Sequence, residues 1–356
     1  MSKSERRAEL SAMNVLLCLL VIFIHVASKA ISSADRASWQ FALLLPGWRF
    51  CAFAVQGFVF LAGVKLALSL DKPFSYPRYL AGRCLRVLLP YIVAIAAYYI
   101  YFILRGYYEF DLSYFLHELF TGGLSGHFYF VILIFQFYLT APLWRALAKR
   151  LDSAERIIGV LIAALFISLL YGQYLIDFLY IFNKSYVFPY CDRIFTTYLF
   201  YWTAGLAVGR HYERVKSAAA DNFRQLLVLF VFAAAGNGLL SWIHFSGRES
   251  VYFLETAHRF YIITAIMFVF AAAVRYGEKI AALKPLRLLD HASYQIYLWH
   301  PLALHLSEQL LEGRGISIGA EFIVRLLFGY VLTIAVCAPA VWAVEKLKLR
   351  RTIKEK

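Results

Sequence analysis

Ten long apolar stretches fill this chain, and its basic residues gather on every second connection between them. Crossing the hydrocarbon core of a bilayer takes about 20 predominantly apolar residues in a helix. The stretches lie at 13–30, 48–70, 85–104, 128–147, 157–174, 194–208, 226–245, 260–274, 292–311 and 322–344. Hydrophobic residues make up 62% of the 356, more than a soluble domain of this size can hide in its interior. Mean hydropathy is +0.64. The pattern predicts an all-α, polytopic membrane helix bundle of about ten transmembrane helices, a multi-pass protein of the cytoplasmic membrane with the lipid bilayer as its solvent. The first stretch has no small-residue cleavage site after it and reads as the first membrane helix, not as a signal peptide.

Charge fixes the orientation. The two ends carry Lys3, Arg6, Arg7 and Lys346, Lys348, Arg350, Arg351, Lys354, Lys356. Alternate connections add Lys65, Lys72, Arg78, Arg83 and Arg86, then Arg145, Lys149, Arg150 and Arg156. Arg210, Arg214, Lys216 and Arg224 follow, and finally Arg275, Lys279, Lys284 and Arg287. These are 26 of the 36 basic residues, so both termini are expected to face the cytoplasm with an even number of crossings between them. The net charge of +14 forms no single patch or arginine-rich arm, which argues against nucleic acid as a partner. Connections of roughly 20 residues at most are too short for a separate folding unit. A single integral-membrane domain over 1–356 is therefore expected, with short cytoplasmic tails at 1–12 and 346–356. The five cysteines are scattered without metal-ligand spacing and read as small buried hydrophobes, and no metal site is expected.

His25 sits in the first apolar stretch. An ionisable ring inside a membrane is costly unless it is paired or lines a wet cavity, so it is a functional candidate by default. A neutral imidazole there can accept a proton; the bland alternative is a hydrogen bond that glues two helices. Further along, Gly57-Phe58-Val59-Phe60-Leu61-Ala62-Gly63 closes the second stretch, and residues 79–91, with Arg83 and Arg86, open the third. Gly126-His127-Phe128-Tyr129-Phe130 begins the fourth, and Ser293-Tyr294-Gln295-Ile296-Tyr297-Leu298-Trp299-His300-Pro301 lies in the ninth. There is no phosphate loop, HExxH motif or GxSxG turn, against an ATPase, a metalloprotease or a serine hydrolase.

Taken in order with His25, these motifs resemble the acyltransferase-3 family of multi-span membrane acyltransferases over nearly the whole chain. The resemblance implies transfer of an acyl group, usually acetyl, from cytoplasmic acetyl-CoA. The acceptor it implies is a hydroxyl of an envelope glycan, either a surface polysaccharide or a lipid-linked sugar. Acetyl-CoA enters as a donor substrate, with no permanently bound cofactor. The family histidine maps onto His25. The arginine frequent eleven residues earlier is replaced here by Asn14, on the same helix face and roughly 16 Å away. Arg83 and Arg86 are the expected holders of the donor phosphates; setting topology or binding lipid head groups is the competing role. Lys65 is a weaker donor candidate that could simply snorkel.

His127 and Tyr129, at the start of the fourth helix, are expected near the acceptor, as are Tyr297 and His300. The missing amide of Pro301 leaves the Tyr297 carbonyl without its helical donor, so this group could equally be a structural kink. The expected chemistry has His25 as general base on the acceptor hydroxyl, with a transient acyl-histidine as the second route. The rival function is an exporter or flippase of a polysaccharide intermediate, against which no internal repeat stands out; a non-catalytic sensor or scaffold is a third reading.

Overall fold

The computed structural model describes residues 7–174 and 190–354. Lys3, Arg6, Lys356 and residues 175–189 of the polar connection after the fifth stretch lie outside the described residues. Every regular element among the described residues is helical. Among the described residues, seven helical stretches are long and apolar enough to cross a membrane: Ala8–Ser33, Trp39–Ala67, Tyr76–Leu104, Ala154–Gly172, Phe223–Phe245, Leu254–Ile280 and Ile318–Val344. An eighth is the pair Tyr129–Leu139 and Ala141–Arg150, bent by 64°. Two of the ten expected spans fall outside this set. Residues 194–208 fold as a tight turn, Phe195–Tyr198, and a helix of only 12 residues, Leu199–Arg210. Residues 292–311 lie in a helix of 28 residues, Lys284–Leu311. It is long enough to cross, but the polar groups on its face lower its hydropathy.

The helices are numbered in chain order: α1 Ala8–Ser33, α2 Trp39–Cys51, α3 Ala54–Ala67, α4 Tyr76–Arg83, α5 Leu89–Leu104, α6 Leu112–Thr121, α7 Tyr129–Leu139, α8 Ala141–Arg150 and α9 Ala154–Leu169. Then come α10 Leu199–Arg210, α11 Tyr212–Asp221, α12 Phe223–Phe245, α13 Leu254–Ala281, α14 Lys284–Leu311, α15 Ile318–Leu326 and α16 Thr333–Lys354. Helix α16 runs on to Lys354 through most of the segment expected as a tail. Wider π-helical turns join α4 to α5 (Cys84–Leu88) and α15 to α16 (Leu327–Leu332).

The chain forms two compact units, Met1–Val55 with Lys216–Lys356, and Gln56–Val215. In the first, α1 is the central helix; Met13, Leu17, Ile22, Val26 and Ala27 on it are fully buried. Gly277 of α13 lies so close to α1 that a Cβ there would meet the Glu9 backbone at 2.8 Å. The buried Glu9 carboxylate is paired with Lys216 at 3.0 Å. Tyr330, in the second π-turn, donates to the Leu19 carbonyl of α1 at 2.7 Å.

In the second unit α3 crosses α10 at glycines. A Cβ on Gly63 would meet the Trp202 carbonyl at 2.5 Å, and one on Gly209 the Val64 carbonyl at 2.6 Å. Small residues let two backbones approach this closely, which is how helices gain packing where lipid removes the hydrophobic drive. Beside the crossing, the Trp202 ring stacks on Phe137 at 4.3 Å. Arg145 of α8 donates to the Ser69 and Leu70 carbonyls, each at 3.0 Å, so this basic residue caps the chain just after α3. The bend between α7 and α8 has a local cause. Pro142 opens α8 without an amide hydrogen, and the Thr140 hydroxyl takes a bond from Trp144 Nε1 at 2.7 Å while donating to the Gln136 carbonyl at 2.8 Å.

Candidate functional site

Positions 11, 14, 18 and 25 fall on one face of α1. Opposite them α14 runs in the same direction, so residues near 290 meet the start of α1 and His300 meets His25. At the first of these levels Asn14 Nδ2 donates to Asp290 Oδ1 at 2.8 Å and to Ser293 Oγ at 2.9 Å. Ser11 donates to the other Asp290 oxygen at 2.9 Å. Both hydrogens of the Asn14 amide therefore point at α14, where a carboxylate is its main partner.

The second level holds the two imidazoles. His25 is half-buried and His300 fully buried, with ring centroids 5.1 Å apart and planes tilted by 52°. His300 Nδ1 lies 2.9 Å from the Tyr297 carbonyl and 3.2 Å from that of Ile296. Carbonyl oxygens only accept, so Nδ1 carries the hydrogen and Nε2 of the neutral ring carries the lone pair. The carbonyl that Pro301 deprives of its amide donor is thus satisfied by the neighbouring imidazole. The missing amide of Pro301 and the tautomer of His300 are thus linked. Tyr297 is also buried, its ring 6.2 Å from His300 and stacked on Tyr294 at 6.4 Å.

Beyond the imidazoles lies an ion pair that sequence reasoning missed. Arg325, at the end of α15, is buried. Its Nη1 lies 2.5 Å from Glu308 Oε1, and its Nη2 donates to the His25 carbonyl at 3.2 Å. The second Glu308 oxygen faces His305 Nδ1 at 3.1 Å. One guanidinium fork thereby ties the backbone of α1 at His25 to α14. The π-turn that follows brings Gly329 against Ile22, Val26 and Leu304, all within 3.2 Å of where its Cβ would stand. Arg325 could have been found as a lone cation inside the apolar stretch 322–344.

Removing the cation should be costly. Arg325→Leu leaves Glu308 without its main partner and is expected to lower stability by somewhat less than the roughly 3–5 kcal/mol of a fully buried pair, because Glu308 is about a third exposed, at 35%. Arg325→Lys should recover part of that loss. Thermal melting of the purified variants in detergent measures both, and a Leu variant melting like wild type would contradict the assignment.

The other candidates lie in the second unit. The half-buried Arg83 is hydrogen-bonded to Tyr79 and lies 5.0 Å from the Tyr79 centroid and 4.4 Å from that of Tyr138, two rings set edge-to-face. The exposed Arg86 folds back along the helix, with Nε donating to the Gly82 carbonyl at 2.9 Å. The two arginines expected to act together thus have different surroundings. Lys65 is exposed in the last turn of α3. His127 is buried, its Nδ1 3.1 Å from Ser125 Oγ and its ring packed on Phe128 at 4.1 Å and Tyr98 at 5.7 Å. Tyr129 is half-buried and hydrogen-bonded to Tyr198.

A family model described as an acyltransferase domain matches residues 7–342, nearly the whole chain. No curated protein and no solved structure matches it.

Proposed function

The chain belongs to the acyltransferase-3 family and is an acyltransferase, and from that premise we propose that it moves an acetyl group from cytoplasmic acetyl-CoA to a hydroxyl of a surface polysaccharide or lipid-linked sugar. The observation that carries this reading is the half-buried His25 imidazole facing the buried His300, with its own backbone held by Arg325. In the proposed reaction the acceptor oxygen attacks the thioester carbonyl carbon while His25 takes the hydroxyl proton. Collapse of the tetrahedral intermediate breaks the C–S bond, and the proton passes to the departing coenzyme A sulfur. The His300 ring faces that of His25, which suits it to orient His25 or the incoming alcohol. Proton transfer of this kind contributes about 10²–10⁴-fold to a rate.

Arg83 and Arg86 are assigned to the donor phosphates. Arg83, hydrogen-bonded to Tyr79 and packed against the Tyr138 ring, presents a guanidinium suited to a phosphate. With both termini in the cytoplasm, the basic connections would meet acetyl-CoA on the side where it is made. The test uses purified protein, acetyl-CoA and envelope glycan, reading release of the coenzyme A thiol. Arg83→Gln is expected to raise KM for acetyl-CoA roughly tenfold or more, the worth of one lost hydrogen bond to a charged group, with little change in kcat. An unchanged KM removes Arg83 from the donor site, and wild-type protein that releases no thiol overturns the reading.

A further inference from the structure

Away from His25, the first unit carries a groove of 760 Å³ between α12 and α13. Val228, Phe232, Leu240 and Phe260 line it, with Arg224 at one end and Asn237 toward the other. Arg224 and Asn237 are 13 residues apart on α12, about 20 Å at 1.5 Å per residue. Val228, Phe232 and Phe260 are exposed along the rim, so the groove opens sideways toward hydrocarbon. Arg224 is exposed as well, which lets its stem line the groove while its head snorkels out.

The Asn237 end differs in character. Asn237 is 1% exposed, and its Oδ1 pairs with Nδ1 of the buried His258 at 3.0 Å. Its amide nitrogen and Arg259 Nε are buried, and neither has a hydrogen-bond partner among the described residues. One turn along α12, Ser241 accepts from Arg49 Nε at 3.3 Å, and Arg49 Nη2 lies 2.7 Å from Glu255. Arg49 and Arg259 are both charged neighbours of His258. Two guanidiniums against one carboxylate make this end positive, and its unused groups are donors. Arg248, stacked over Trp242 at 3.9 Å, adds the aromatic and basic pairing typical of a bilayer interface.

We infer that this groove binds an anionic phospholipid of the bilayer, one acyl chain lying along α12 and a phosphate oxygen accepting from Asn237, with the Arg49 and Arg259 guanidiniums behind Asn237 and outside the groove's lining. The sideways opening favours a lipid of the surrounding membrane, which enters without leaving hydrocarbon. A phosphate supplies the acceptors that the buried donors lack, and its charge complements the guanidiniums. This site is independent of the acetyl-transfer reaction and stands or falls separately from it.

The test reconstitutes the full chain in vesicles of mixed phosphatidylglycerol and phosphatidylcholine, extracts it, and counts retained lipid by native mass spectrometry. Wild type is expected to retain phosphatidylglycerol over phosphatidylcholine by about tenfold, the ratio one charge-assisted hydrogen bond supports. Arg259→Gln should remove the preference. Gly236→Leu should lower retention of both lipids, because a Cβ at Gly236, in the groove wall, meets nothing within 4 Å. That variant keeps the test open even if Arg259→Gln fails to fold. Equal retention of the two lipids by wild type, unchanged retention in Gly236→Leu, or a polyprenyl-phosphate sugar in place of the phospholipid would each overturn the inference.

Discussion

His25→Gln protein is expected to release coenzyme A thiol from acetyl-CoA about 10²–10⁴-fold more slowly than wild type, with the same melting temperature. Glutamine keeps much of the size and hydrogen-bonding capacity of histidine but cannot take up a proton near neutral pH. The bond from Arg325 reaches the backbone carbonyl of His25, not its ring, so the tie between α1 and α15 survives the substitution. The variant therefore separates chemistry from folding. Rapid-quench labelling with radiolabelled acetyl-CoA then distinguishes the two routes: an acetyl-enzyme seen in wild type and lost in His25→Ala marks a covalent intermediate, and its absence marks a general base.

Gly205→Leu is expected to cost roughly 3 kcal/mol or more, at the upper end of overpacking. A Cβ at Gly205 would collide with the Phe60 carbonyl and stand 3.0 Å from the Val64 amide nitrogen. Both obstacles are backbone, so no side-chain rotation relieves them, and α3 must part from α10. Gly159→Leu is the matched control, because a Cβ there meets nothing within 4 Å. Melting of the two variants side by side measures the difference, and equal melting temperatures would contradict a close crossing of α3 and α10.

Much of this was legible because bilayer and helix impose strong periodic rules. His25 and Asn14 share a face of α1 as their spacing implies, and the apolar run around them forms one 26-residue helix. Pro301 correctly pointed to an orphaned Tyr297 carbonyl. That His300 would supply the missing donor depends on rotamer and tautomer, which periodicity does not encode. Asp290 and Glu308 escaped notice because their importance comes from partners 276 and 17 residues away, Asn14 and Arg325. Arg325 left a signal of its own, one cation in an apolar stretch. The bend after Leu139 also had a cue in Pro142, but an unbroken apolar count across 128–147 masked it. Arg83 and Arg86 read as a pair by spacing; their separate surroundings depend on Tyr79, Tyr138 and the Gly82 carbonyl.

In the proposed reaction an acetyl group leaves a thioester for an alcohol with the imidazole of α1 in attendance. Purified wild-type and His25→Gln proteins, each given acetyl-labelled coenzyme A and envelope glycan, test it most directly when free thiol and glycan-bound label are counted together. One acetyl ester for each thiol released by wild type, with both nearly lost in the variant, is the predicted result. Equal label on the glycan from both proteins would contradict it.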